Sequence, residues 1–330
     1  MRAISLSVAS VCLALAGCGG SSSSTSTDGG NTQAVSIPFT ASVGTETFEC
    51  GRTYNSVGVT AADAIGHDAR LYVHNVRFVT NDGREVPVII NGDAAGAPTA
   101  NQKPGQGDEG LVLIDLRDKS AGCTGGDDGE TLNPDYYDTL SGVADIRNES
   151  VRGLRFTVGV PARYNHIDAQ GGQPQTDSET GEDIPDTVAV GPLIASGMGA
   201  GGMHWSWAAG YVHARLEVQV PVATYDTFFI HLGSTDCDGE AIHAERECEN
   251  GNQVHVEIEE FDPSLHAVNV DLLSLLSGND ITVNAGGPAG CMSGLTDPDC
   301  APLFERLGLA FPGADPEAEH APVFSAHEIR

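Results

Sequence analysis

Gly202-Met203-His204-Trp205-Ser206-Trp207-Ala208-Ala209-Gly210-Tyr211-Val212-His213 runs directly into Ala214-Arg215-Leu216-Glu217-Val218-Gln219-Val220, and the second half of this stretch decides the fold. From Tyr211 onward the residues alternate, with Val212, Ala214, Leu216, Val218 and Val220 on one face of an extended chain. A period of two is the signature of a strand with one apolar face. Carried back unbroken, the register places Trp205 and Trp207 on the opposite, less apolar face. A bulge at Gly210 would return them inward, and the pattern leaves both arrangements open. These are the only two Trp residues of the chain, one residue apart and beside Met203 and His204. Scarce residues clustered in this way invite a chemical explanation.

The same alternation recurs on either side. Ser36 to Val43, Arg70 to Val79, Val86 to Ile90, Leu111 to Leu116, Leu154 to Val160, Thr227 to Leu232, Gln253 to Phe261 and Ala267 to Leu272 are strand candidates between Gly, Asp, Asn and Pro turns. The 41 Gly residues suit a turn-rich chain. The pattern predicts an all-β protein, an antiparallel β-sandwich with long loops, rather than βαβ units. One short helix is expected near the C-terminus, from Pro302 to Leu307, with Gly308 as its stop signal. The polar segment between His166 and Val188 reads as a long surface loop next to the Trp stretch.

Arg2, the apolar run from Ile4 to Ala16 and the ending Leu15-Ala16-Gly17-Cys18 make residues 1–17 a signal peptide whose last residues resemble a bacterial lipobox. Cys18 is then the lipidated first residue of the mature chain. Residues 18–35 read as a flexible Ser/Gly tether and residues 36–330 as a single domain. No other run is apolar enough to span a bilayer, so the expected place is a periplasmic or cell-surface lipoprotein, anchored to the outer membrane. Export places the cysteines in an oxidising compartment. With Cys12 removed and Cys18 acylated, six remain: Cys50, Cys123, Cys237, Cys248, Cys291 and Cys300. Six allow fifteen pairings. The short loops favour Cys237 with Cys248 and Cys291 with Cys300, leaving Cys50 for Cys123.

A formal net charge of -30 argues against nucleic acid, whose phosphates need a basic footprint, and suits metal ions or a cationic partner. Enzyme signatures are missing. There is no Gly-x-Ser-x-Gly elbow, His-Glu-x-x-His pair, phosphate-binding Gly-x-x-x-x-Gly-Lys or haem-attaching Cys-x-x-Cys-His. A binding protein is expected, not an enzyme.

The string Met-x-Trp-x-Trp-x-x-Gly-Tyr, here Met203, Trp205, Trp207, Gly210 and Tyr211, has companions in order. They are Phe48-Glu49-Cys50-Gly51, Gly159-Val160-Pro161 with Asn165-His166, Pro192-Leu193, His231-Leu232-Gly233-Ser234-Thr235, and Cys291-Met292-Ser293 with Cys300. Together they resemble the MbnP-like copper-binding proteins over roughly residues 37 to 308. These are the four-Cys members of metallo-mystery pairs, related to the copper-repressible surface copper proteins of methanotrophs. The resemblance implies one copper ion and a kynurenine made from Trp205 or Trp207. It also implies a partner that makes the modification, a diheme enzyme of the MauG and cytochrome c peroxidase kind. The chain departs from the family string at Ala208, where Gln is usual, and at Val212-His213, where Lys-Phe is usual.

The chemistry is coherent. Indole offers an N–H donor and no ready lone pair, whereas kynurenine provides an aromatic amine and a ketone. Imidazole suits copper in either oxidation state. His166 and His231 match family strings and are the first candidate metal ligands, followed by His204 beside Trp205 and the Met203 thioether. His74 reads as a hydrogen-bonded core residue and His213 and His255 as solvated. His67, His243, His266, His320 and His327 fall in turns or near the C-terminus, where exposure is expected. Two rival readings remain: an adhesion or interaction module that uses the Trp pair as a contact patch and holds no metal, and a redox partner of the diheme enzyme.

Overall fold

The computed structural model describes residues 32–117, 123, 137–146, 150–167, 169, 174–176, 180–184, 187–194, 202–206, 209–238 and 247–329. It opens with β1 (Gln33–Val43), β2 (Glu46–Thr47), β3 (Thr53–Val57) and the 19-residue β4 (Ala62–Thr80). Next come β5 (Glu85–Ile90), β6 (Gln102–Lys103), β7 (Leu111–Asp115), β8 (Thr139–Ala144), β9 (Val151–Val158) and one helical turn, α1 (Ala162–Asn165). Beyond a 3-10 turn at Gly191–Leu193 lie β10 (His204–Ser206), β11 (Gly210–Gln219), β12 (Thr227–Gly233), β13 (Thr235–Cys237) and β14 (Cys248–Asn250). β15 (Val254–Ile258), β16 (His266–Asp271), α2 (Leu272–Leu276), β17 (Gly290–Cys291), α3 (Cys300–Arg306) and β18 (Phe324–Glu328) complete the order.

All nine expected strands are present within three residues of their expected ends, except that β4 begins eight residues earlier. The result is a curled, largely antiparallel, sandwich-like all-β fold. Its main sheet runs β17-β12-β11-β4-β5-β8-β1-β16-β18, with parallel pairing, among the described residues, only between β1 and β16 and between β12 and β17. Residues Asn31–Arg330 form one compact unit.

Several expectations change. β1 starts at Gln33, inside the segment read as tether, because Gln33 to Val35 pair with Gly142 to Ala144 of β8. Among the described residues there are three short helices rather than one. α2 was hidden by its brevity and is capped by Asp271, whose carboxylate accepts the Leu273 N–H at 3.0 Å. α3 is the expected helix, and Gly308 beyond it takes φ 65°. The segment between His166 and Val188 is not simply a surface loop, since Ile167, Ala169 and Thr187 are buried. Cys18, expected as the lipidation site, the expected leader and Trp207 lie outside the described residues.

The alternation in β11 explains the two cores. Ala214, Leu216 and Val218 join Ala69 and Leu71 of β4, Val112 and Ile114 of β7, and Ile230 and Leu232 of β12 in the main apolar cluster. The opposite face of the same strands is also covered, and it changes character along its length. At one end Tyr72, Leu111, Leu113 and Tyr211 pack with Val160, Tyr164, Ile167, Leu193 and Met203 in a second apolar cluster. At the other end the face is polar and still buried, with Asp68, Arg70, Asp115, Arg215, Glu217 and His231. The candidate site is built on this end.

Candidate metal centre

Register places four charged or polar residues in one line across four strands. Asp115 of β7 is opposite Arg70 of β4, Arg70 is opposite Arg215 of β11, and Arg215 is opposite His231 of β12. Two facing arginines repel, and the next row relieves this by setting Asp68 opposite Glu217. Arg70 forks onto Asp68, with Nε to Oδ1 at 2.9 Å and Nη2 to Oδ2 at 2.6 Å. Arg117 forks onto Asp115 in the same way, at 3.0 and 2.8 Å. Arg215 Nε donates to Glu217 Oε1 at 2.7 Å and stands 3.3 Å from Asp68 Oδ2. Burial works to raise the Asp68 pKa, but the guanidiniums of Arg70, Arg117 and Arg215 hold it at about 2. Three carboxylates therefore balance three guanidiniums before any imidazole is counted.

Two imidazoles complete this layer. His231 Nε2 lies 2.6 Å from Glu217 Oε1, and His67 Nε2 lies 3.8 Å from Glu217 Oε2. His67 reaches the polar face through a bulge. Gly66 and Asp68 pair with Val218 and Glu217, so His67 is the extra residue of β4. Both imidazoles are buried, and neither Nδ1 has a hydrogen-bond partner among the described residues. At His231 the carboxylate that holds Nε2 leaves Nδ1 as a lone-pair donor, the usual arrangement around histidine ligands of metals, whereas His67 is only near enough to Glu217 for an electrostatic pull.

The lid over this layer is the Trp hairpin. His204 pairs with Tyr211 and Ser206 with Gly210, which has φ 82°; this is a tight hairpin rather than one continuous strand. Of the register left open by sequence, the turn settles the place of Trp205. The Trp205 indole is half-buried and lies on Gly233 of β12, where a Cβ would stand 2.5 Å from the ring. Gly202 anchors the hairpin, its carbonyl accepting Arg215 Nη1 at 3.1 Å. The His204 ring packs against Tyr211 with centroids 4.7 Å apart. A cleft of about 750 Å³ remains, lined by His67, His204, Trp205, Glu217, His231 and Met292 among others.

Of the sequence-derived candidates, His204, Trp205 and His231 share this cleft. His166 does not line it; it is buried beside Cys248, with Nε2 3.1 Å from Sγ. Met203 is 0% exposed within the second apolar cluster, where it packs. The thioether at the cleft belongs to Met292. His67, read as exposed, was missed because Gly66-His67-Asp68 looks like a turn; the signal available was its place just before the strand pattern of Arg70 to Val79. His213, read as solvated, is 0% exposed. Its Nδ1 accepts the Val160 N–H at 3.1 Å, and its Nε2 donates to the Gly251 carbonyl at 3.0 Å. Burial pushes it down to about 4. His74 is a hydrogen-bonded core residue as read, with Nδ1 3.1 Å from Asp108 Oδ1.

The three expected disulfides are present: Cys50–Cys123, Cys237–Cys248 and Cys291–Cys300. The MbnP family pattern matches residues 32–293. Among solved structures the chain is similar to MbnP from Methylosinus trichosporium, with TM-score 0.67 and 26% identity over 91% of this chain and 99% of that one. No curated protein sequence matches.

Proposed function

The chain belongs to the MbnP family, and from that premise we propose that it is an exported lipoprotein, tethered through Cys18, that binds one copper ion in the cleft beneath Trp205. The observation that carries this reading is the pair of imidazoles beside Glu217, His231 hydrogen-bonded to it and His67 3.8 Å away, each with a buried Nδ1 that no described residue engages. Unpartnered buried nitrogens are costly in a finished fold and suit an ion. The donor set is also chemically apt, since imidazoles and a thioether favour copper over hard cations.

His67 and His231 would hold the ion, with His204 and Met292 at the margin. Bound copper supplies a one-electron centre and a soft Lewis acid. Glu217 fixes the orientation of the His231 ring and Arg215 neutralises that carboxylate, while the hairpin limits water access to the cleft. A tryptophan of the motif, Trp205 or Trp207, is converted to kynurenine by a MauG-like diheme partner and adds its new amine or ketone to the site. Trp205 already lines the cleft. The role is binding and handling of copper rather than turnover. Among the described residues no helix is long and apolar enough to cross a membrane.

Copper titration of the mature chain, produced together with its diheme partner, tests this. His231→Ala and His67→Ala should each weaken copper binding on the order of 10- to 100-fold. Unchanged binding in both variants would overturn the assignment of the cleft.

A further inference from the structure

His166 Nε2, Cys237 Sγ and Cys248 Sγ all lie within 4.8 Å of one another, and His166 Nε2 is 3.1 Å from Cys248 Sγ. The two cysteines are joined in a disulfide that closes the small separate sheet of β13 and β14. Asn165 defines the state of the imidazole. Its Oδ1 accepts the Tyr211 backbone N–H at 3.0 Å, so the group it presents to His166 is Nδ2, a donor 3.1 Å from Nε2. Nε2 is therefore the acceptor nitrogen, its lone pair engaged by the Asn165 amide, and it carries no proton toward the sulfurs beside it. Access also singles out this bridge. Cys237 and Cys248 are half-exposed, whereas Cys50, Cys123, Cys291 and Cys300 are buried.

We propose that Cys237, Cys248 and His166 form a second metal site, closed while the disulfide stands and opened by a thiol reductant, which takes a thiophilic d10 cation of the Cu(I) or Zn(II) kind. Two reductant thiols supply the electrons. The Cys237–Cys248 bond breaks, one sulfur–sulfur bond forms between the reductant molecules, and their two protons pass to the cysteines. Metal binding then expels those protons as two thiolates and the His166 lone pair take the ion. The spacing is suitable, because metal–sulfur bonds of about 2.3 Å and metal–nitrogen bonds of about 2.0 Å set the donor atoms roughly 3.5–4 Å apart, within the observed limit. The site shares no residue with the cleft of His67, His204 and His231, so its failure would leave the copper reading untouched.

The test uses the full mature chain, reduced without oxygen by a phosphine, desalted and titrated with Co2+. Alkylation mapping confirms free thiols at Cys237 and Cys248. The reduced protein should bind one equivalent of Co2+ with a thiolate-to-cobalt charge-transfer band, displaceable by Zn2+, and the oxidised protein should show no such band. His166→Gln keeps both cysteines and should weaken binding on the order of 100-fold. Free thiols at both positions without the band would overturn the proposal. So would an undiminished band in the C237S/C248S double variant, or unchanged affinity in His166→Gln.

Discussion

His213 shows how a single buried side chain sets the acid stability of this protein. Burial pushes its pKa from 6.5 down to about 4, so between those values the folded chain binds fewer protons than the unfolded one. Its contribution is complete above pH 6.5 and fades as pH falls toward 4, by roughly 3 kcal/mol. His74 acts in the same direction, lowered by burial against the pull of Asp108. Asp68 covers a more acidic window. Burial raises its pKa, but the three guanidiniums hold it near 2, so its share fades only below pH 3.8. Denaturant midpoints measured from neutral pH to pH 4 should fall steadily, with a shallower fall in His213→Gln. A profile equally steep in the variant would contradict this. Gly233 makes a second prediction at the same scale. Gly233→Ala puts a methyl 2.5 Å from the Trp205 ring, which must move. The expected result is a loss of about 1–3 kcal/mol in thermal unfolding and a shift of Trp fluorescence toward exposure.

Among the elements, β11 carries both the fold and the site. Its apolar side was legible because Ala214, Leu216 and Val218 alternate cleanly, and the other expected strands were found on the same ground. Its polar side misled, because Arg215 and Glu217 look solvated to any reading of period alone. Only the register against β4 and β12 reveals that they are buried and paired. The first half of β4 was lost for the same reason: its polar residues answer to Glu217 and Arg215 across the sheet, not to water. Trp205 and His231 were legible as a motif, but their convergence with His67 depends on a bulge that no local pattern announces. Glu217→Gln tests this ladder. It leaves Arg215 with a weaker partner in a 1% exposed position and should cost about 3–5 kcal/mol in chemical denaturation. It should also weaken copper binding by roughly 10-fold or more, because His231 loses its anchor.

On the scale of the whole molecule, three disulfides tie loops to a sheet with two faces covered. Cys50–Cys123 spans 73 residues, so its removal as a double Ser variant should cost about 2–5 kcal/mol, read as a lower thermal midpoint. The net charge of -30 and the cleft act together, since an acidic surface concentrates cations around a neutral buried site. The central claim is that this site holds copper with a modified tryptophan. The most direct test is to determine copper content and the peptide mass over residues 202–215 on the same sample, made together with the proposed diheme partner. The prediction is one copper per chain, with a gain of one oxygen and loss of one carbon at Trp205 or Trp207, and loss of the copper in His231→Ala. Unmodified tryptophans without copper, or copper fully retained in His231→Ala, would contradict it.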